Sequence, residues 1–259
     1  MSKTNWDNVQ IIILAAGKGK RMNFPLPKVM LPLHGKPLVE HVVDAALGSS
    51  CQSSPVVVVS PQSPVISHLG SKVTYAIQEE QLGTAHAVLS AAPDISQSAK
   101  HIVVLYGDMP FIRSDSIDRL IETHLHTQAT LTMLTAMTPD FLQWRKLFET
   151  FGRVVRDSAG DFDCIVEWKD ASAKELQIRE LSTCYFCFSA QWLWSCLKTL
   201  STNNAQKEYY LGDLLQLAKI QGKNIATAPV ALEEAIGINR PEDLKTIEQQ
   251  HTQKINLRM

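Results

Sequence analysis

The chain predicts an α/β fold: a doubly wound, Rossmann-like, mostly parallel mixed sheet. Three observations carry that reading. Short apolar runs alternate with helix-like stretches through the first half. The first run, Val9-Gln10-Ile11-Ile12-Ile13, leads into small residues with two glycines, Gly17 and Gly19. A later run of the same kind ends at Gly107-Asp108. Ligands of open α/β sheets sit beyond the carboxyl ends of the strands, so both of these ends are candidate sites.

Residues 9–13 are β-branched and read as a buried strand. Residues 38–47 set Leu38, Val42, Val43 and Ala46 at helical spacing. Strands follow at 55–59 and 73–77, a helix at 84–92, and a strand at 101–106. Ser114 followed by Asp115 reads as the cap of a helix running through Leu125, and 129–135 returns as a strand. From Phe151 the pattern shortens. Residues 154–156 and 164–167 flank turn residues 157–163 as a hairpin, and 180–188 is a long apolar strand. A helix at 191–200, a strand at 226–230 and a terminal helix from Pro241 complete the reading. The second half is expected to build a wall beside the strand ends.

Composition narrows the function classes. The 259 residues carry 25 basic and 26 acidic side chains, a net charge of -1, which gives no broad attraction for nucleic acid. No apolar run approaches membrane-spanning length, and residues 1–7 lack a signal-peptide core, so no membrane partner is expected. Five scattered cysteines, an odd number, point to a reducing cytoplasm. Cys184 and Cys187 form a C-x-x-C, but alternation along a strand sends them to opposite faces, against a redox or zinc pair. His124 and His126 are two apart near a helix end and read as a solvated pair, not metal ligands. Trp192 and Trp194 read as packing with one exposed edge.

The glycine loop carries chemistry. Gly17 and Gly19 let backbone amides approach an anion, and Arg21 and Lys28 add fixed positive charge nearby. Loop amides and two cations are the parts needed to hold a triphosphate. A dinucleotide fingerprint is disfavoured because Met22 stands where the third glycine belongs. A Walker A loop also fails on glycine spacing. Lys18 and Lys20 read as surface residues.

The stretch Leu14-Ala15-Ala16-Gly17-Lys18-Gly19-Lys20-Arg21-Met22 with Pro27-Lys28 resembles the sugar-nucleotidyltransferase signature L-A-A-G-x-G-x-R-M and P-K. Six further blocks follow in family order. They are the segments 78–87, 105–110, Phe151-Gly152-Arg153, Ile165-Val166-Glu167, Glu208-Tyr209-Tyr210-Leu211 and Gly237-Ile238-Asn239-Arg240. Within the superfamily the chain is similar to the uridyltransferase domain of the bacterial enzymes that make UDP-N-acetylglucosamine. That resemblance runs from Ile11 to Arg240.

The resemblance implies the nucleotide-diphospho-sugar transferase fold and two substrates, a nucleoside triphosphate (UTP) and a sugar 1-phosphate (N-acetylglucosamine 1-phosphate), with Mg²⁺ as cofactor. It makes Asp108 and Asn239 the metal ligands, and Arg21 and Lys28 the phosphate contacts. The backbone of Leu14, Ala15, Ala16 and Gly17, with Gln78, Gln81, Gly83, Thr84 and Tyr106, would hold the base and ribose. Gly152, Glu167, Ser182 and Tyr210 would meet the acceptor sugar. By residue type alone, Asp108 opens a turn, Asn239 and Thr84 cap helices, Gln78 and Glu167 are surface groups, and Tyr209 and Tyr210 pack.

The pattern departs from the family mainly on the acceptor side. The family's E-I-N-T-G appears as Glu180-Leu181-Ser182-Thr183-Cys184, Phe151 replaces a tyrosine, and Gly212 replaces a threonine. Nucleotidyl transfer with an altered sugar preference is the expectation. Another sugar or alditol phosphate, CTP in place of UTP, or a non-catalytic nucleotide-sugar-sensing module stand as alternatives. Only 19 residues follow Arg240, without hexapeptide periodicity. The expectation is one nucleotidyltransferase domain over 1–259, core about 9–240, with no C-terminal left-handed β-helix, as a monomer or small homo-oligomer.

Overall fold

A computed structural model describes residues 6–17, 26–204, 206–240 and 242–244. In chain order, β1 (Val9–Leu14) is followed by a two-strand ribbon, β2 (Pro32–Leu33) and β3 (Lys36–Pro37), then α1 (Leu38–Gly48) and β4 (Val56–Val59). Next come α2 (Pro64–Leu69), β5 (Thr74–Ile77), α3 (Thr84–Ser90), β6 (His101–Tyr106), α4 (Ser114–His126) and β7 (Leu131–Met137). The hairpin β8 (Arg153–Arg156) and β9 (Phe162–Val166) leads to β10 (Glu180–Ser189), α5 (Ala190–Leu197), α6 (Asp213–Ile220) and β11 (Ile225–Val230).

The central sheet runs β11-β7-β10-β6-β1-β4-β5. The pairs β1–β4, β1–β6, β4–β5 and β11–β7 are parallel, and β10 runs antiparallel to β6 and β7. The mixed, mostly parallel sheet is therefore as the sequence predicts. The wall expected of the second half is only part of the outcome. Its long strand β10 inserts between β6 and β7 in the middle of the sheet, while β8 branches from it through Leu181 and Arg153 and carries β9 outward.

Alternation along the strands feeds two cores. Val9, Ile11 and Ile13 meet Leu38, Val42, Ile117 and Leu120 from α1 and α4 on one face. Ile12 and Leu14 meet Val88, Leu193 and Leu214 from α3, α5 and α6 on the other. Ile11, Ile12 and Ile13 are fully buried, each contributing roughly 1.5–3 kcal/mol through removal from water. No helix among the described residues is long and apolar enough to cross a membrane.

Two helices escape the sequence reading. In α2 the signal is present, since Ser63 accepts from Val65 N and Pro64 occupies the first turn, but only one full turn follows. In α6, Leu214, Leu215 and Ala218 point inward after an uncapped Gly212. Two side chains need correction. Ser114 is not the cap of α4. Arg113 holds the cap position, and the Ser114 hydroxyl donates to Ala45 O at 2.8 Å, tying α4 to α1. His124 is not solvated. It is buried between Thr132 and His101, at 2.9 and 3.1 Å, and burial and then His101 push its imidazole down to about 4. Only His126 of that pair is exposed.

Candidate functional site

Successive connections leave β1 in one direction to β4 and β5, and then cross back to β6 on its other side. A switch of this kind opens a crevice at the carboxyl ends of β1 and β6. Leu14 and Tyr106 pair there, and the Gly107 N–H donates to Leu14 O at 2.9 Å. A methyl group on Gly107 would lie 3.1 Å from that oxygen, so a glycine keeps the two strand ends close.

Three of the predicted chemical groups meet at this crevice. Lys28 opens a single 3₁₀ turn, Lys28–Met30, whose Val29 is sunk in the core. Its ammonium pairs with the Asp108 carboxylate and donates to Asn239 Oδ1 at 2.8 Å. Asn239 comes from a remote segment that is pinned to the same place. The Ile238 N–H donates to Asp108 O at 2.9 Å, and the Ile238 side chain is fully buried. Asp243 accepts from the Asn239 and Arg240 N–H groups at 2.9 and 2.8 Å. Two oxygen donors of different types thus converge on one positive charge. A hard divalent cation suits that donor set, with phosphate oxygens and water completing its shell. No cluster of three or more His, Cys, Asp or Glu fit for a metal occurs among the described residues.

Beside this trio lies a cavity of about 420 Å³, lined by Leu14, Ala16, Gly17, Gln78, Gln81, Gly83, Thr84 and Tyr106 together with Lys28 and Asp108. Ala15 is the exception in the predicted loop. It does not line the cavity: its N–H is bonded to Val58 O at 2.8 Å and its methyl group lies in the opposite core. Gln78 is buried, not a surface residue, and its amide nitrogen lies 3.0 Å from His86 Nδ1 and 3.3 Å from Gly83 O. Gln81 donates back to Gln78 O at 3.3 Å. Thr84 is no N-cap. Its hydroxyl accepts from Leu211 N at 2.9 Å, while Gly83 occupies the cap position at φ 112°. Tyr209 bonds Leu82 O and the Ala85 N–H through its backbone at 2.8 and 2.9 Å, so segments 82–85 and 208–211 form one unit. Burial pushes the Tyr106 phenol up.

A second cavity of about 840 Å³ lies between the β8–β9 hairpin, the bulged part of β10 and the start of α6. Glu167, Ser182, Cys184, Tyr210 and Asp213 line it. The Glu167 carboxyl is held above its ordinary value, first by burial and then by Asp170 and Asp213. Gly152 is buried behind this wall and does not line it. A methyl group there would come within 2.6 Å of Ile165 Cγ2 and 3.5 Å of Glu167 Oε1, and its carbonyl accepts from Ser182 N at 3.0 Å. Ser182 turns its hydroxyl toward Met133 Sδ at 3.3 Å. Cys184 sits in a register shift of β10 at φ 63°, exposed to the cavity, whereas Cys187 is buried. Tyr209 packs against the core, and Tyr210 faces the cavity.

Arg21, with Lys18 and Lys20, lies outside the described residues. Arg153 stands in a motif block of the sequence without an assigned role. Buried, and without a carboxylate ion pair among the described residues, its guanidinium donates to Phe151 O and to Glu149 O (2.9 Å) and lies 4.6 Å from the Phe141 ring, fixing the turn that presents Gly152. Glu208, likewise part of a motif block without a role, and Gln206, which sequence reasoning misses, line the smaller cavity. An arginine inside a strand motif is a visible signal. A loop glutamine carries none.

Comparison with known proteins agrees with this architecture. The model of the MobA-like NTP transferase domain family matches residues 11–157. The bifunctional protein GlmU of Brevibacillus brevis is 40% identical over 232 residues, covering 89% of this chain and 49% of that protein. The protein of the same name from Bacillus subtilis is 36% identical over 248 residues, covering 95% of this chain and 53% of its own length. The chain spans about half the length of the curated relatives it matches. The solved structure of CMP:2-keto-3-deoxy-manno-octonic acid synthetase complexed with CTP superimposes with a TM-score of 0.70, covering 96% of this chain and 100% of that one. At 18% identity that likeness is one of fold.

Proposed function

This chain belongs to the MobA-like NTP transferase family and is a nucleotidyltransferase, and from that premise we propose that it joins UTP to a sugar 1-phosphate. N-acetylglucosamine 1-phosphate is the first acceptor to consider, and the products are a UDP-sugar and pyrophosphate. A cytoplasmic setting belongs to the same proposal. One observation carries it: Lys28, Asp108 and Asn239 converge at the sheet's switch point, beside a cavity of about 420 Å³.

In this reading a phosphate oxygen of the acceptor attacks the α-phosphorus. The bond to the β-bridging oxygen breaks, and its electron pair leaves with pyrophosphate. The nucleophile is already an anion, so the protein supplies positioning and charge rather than a general base. Mg²⁺, when bound, supplies positive charge shared between phosphates. Asp108 and Asn239 are the residues to hold it. Lys28 places an ammonium at the same point. Leu14, Ala16 and Gly17 form the floor under the nucleotide, and the interlocked Gln78–Thr84 segment presents amide and backbone groups to a pyrimidine edge. Glu167 opens its carboxylate to sugar hydroxyls in the larger cavity. A second acceptor is the alternative reading, and it would act through Ser182 and Cys184: the hydroxyl of Ser182 is turned toward Met133, and Cys184 adds a side chain at a left-handed position.

The test is pyrophosphate release with UTP, Mg²⁺ and a panel of sugar 1-phosphates. Release with N-acetylglucosamine 1-phosphate is the expected result. Release with another acceptor alone moves the specificity to Ser182 and Cys184. No release with any acceptor, or with CTP in place of UTP, overturns the catalytic reading in favour of a nucleotide-sugar-sensing module.

A further inference from the structure

Among the described residues, Gln206 is the one that lines both cavities. Its backbone is held firmly for an exposed loop. The Asn204 side chain accepts from the Gln206 and Glu208 N–H groups, both at 3.2 Å, and donates to Glu208 O at 2.6 Å. Lys207 takes a left-handed φ of 53°, and its N–H closes the turn on Asn204 O at 3.0 Å. Two residues on, Tyr209 is joined to Leu82 and Ala85. The Gln206 side-chain amide, in contrast with those of Gln78 and Gln81, makes no hydrogen bond to the described residues. A fixed backbone thus presents an unengaged donor and acceptor where two substrate spaces meet.

We infer that Gln206 is a substrate-bridging residue, its amide bonding the donor and the acceptor at once and holding their phosphates together. The inference rests on the reading of the two cavities as donor and acceptor spaces. A junction residue there faces two polyanions. An amide suits it because its N–H groups donate to phosphate oxygens while adding no charge of their own. Carboxylates line both cavities, Glu208 the smaller and Asp213 the larger, and repel phosphate. Gln206 is the neutral donor between them.

The experiment compares Gln206→Ala and Gln206→Glu with wild type in steady-state pyrophosphate release, varying each substrate in turn, alongside thermal melting. Gln206→Ala is expected to lower kcat about 10- to 100-fold, the size of a lost orienting contact, with Tm unchanged. Gln206→Glu places a carboxylate against phosphate and falls further, and its loss shrinks as pH drops toward the range where that carboxyl protonates. A residue that only shaped the loop would give equal losses in both variants and no such pH recovery. An active wild type whose two variants match it in kcat and in both KM values overturns the inference alone. A wild type inert with every substrate pair overturns the reading beneath it, and the inference falls with it.

Discussion

The smaller cavity is walled by the ends of β1 and β6 and by segments already bonded to one another, whereas the larger cavity hangs on a branched hairpin and a bulged stretch of β10. In the first, Lys28, Asp108 and Asn239 hold each other and Gln78 is locked to His86. In the second, Glu167 sits among like charges and Cys184 occupies a strained backbone angle. The contrast separates a pre-set charge and base site from a site whose chemistry turns on a few adjustable side chains. In the proposed reaction the former handles the part common to the family and the latter the acceptor.

The contrast is most easily broken at Asp108. Asp108→Ala removes a carboxylate that lies at the mouth of the crevice rather than in the core, so the fold should persist. Turnover measured by pyrophosphate release is expected to fall roughly 100-fold or more, as for loss of a metal clamp. Near-normal turnover would take Asp108 out of the site. Gly83→Ala strikes the frame of the same cavity. Its methyl group would lie 2.5 Å from Tyr209 O, a backbone atom, at φ 112°. Thermal or denaturant unfolding should show a loss of about 2–4 kcal/mol, from overpacking added to backbone strain. Unchanged stability would mean that segments 82–85 and 208–211 are not one unit.

Two smaller effects sharpen the acceptor side. The folded state raises the Glu167 carboxyl above 4.5, so its protonated form is the one that folding favours. That contribution is complete below the unfolded value and is lost as pH rises through the folded one. Glu167→Gln should therefore raise Tm at neutral pH and gain nothing in strong acid. In the wild type the acceptor KM should climb as pH falls through the raised value, with the UTP KM steady, and the variant should lose that dependence. A flat profile in the wild type would remove Glu167 from the acceptor. Cys184→Gly releases a left-handed residue, a relief of about 1–2 kcal/mol less the extra freedom of glycine when unfolded, leaving roughly 0.5–1 kcal/mol of added stability. A drop in Tm would show that the thiol packs usefully at that angle.

These differences track what the sequence made legible. Strands β1, β4 and β6 stand out as apolar, β-branched runs, and α1 stands out because its apolar residues recur at helical spacing. The conjunction of Lys28, Asp108 and Asn239 was legible as three separate motifs, but not as a bonded trio, since residues 28, 108 and 239 meet only through tertiary folding. The place of β10 was hidden because an apolar strand looks alike at a sheet centre or in a wall. The burial of His124 is not legible because its partners Thr132 and His101 come from strands β7 and β6, whereas it lies on α4. Ala15 and Gly152 are motif residues that line neither cavity, Ala15 packed in the core and Gly152 in close approach to Ile165, a placement that a letter in a motif does not reveal.

Calorimetric titration of UTP, with Mg²⁺ and then with a chelator, into wild type and Asp108→Ala tests the central claim most directly. If the Lys28, Asp108 and Asn239 crevice receives the triphosphate and its metal, Mg²⁺ tightens UTP binding to wild type and loses that effect in the variant. The same Mg²⁺ enhancement in both proteins, or no UTP binding by wild type, would contradict it.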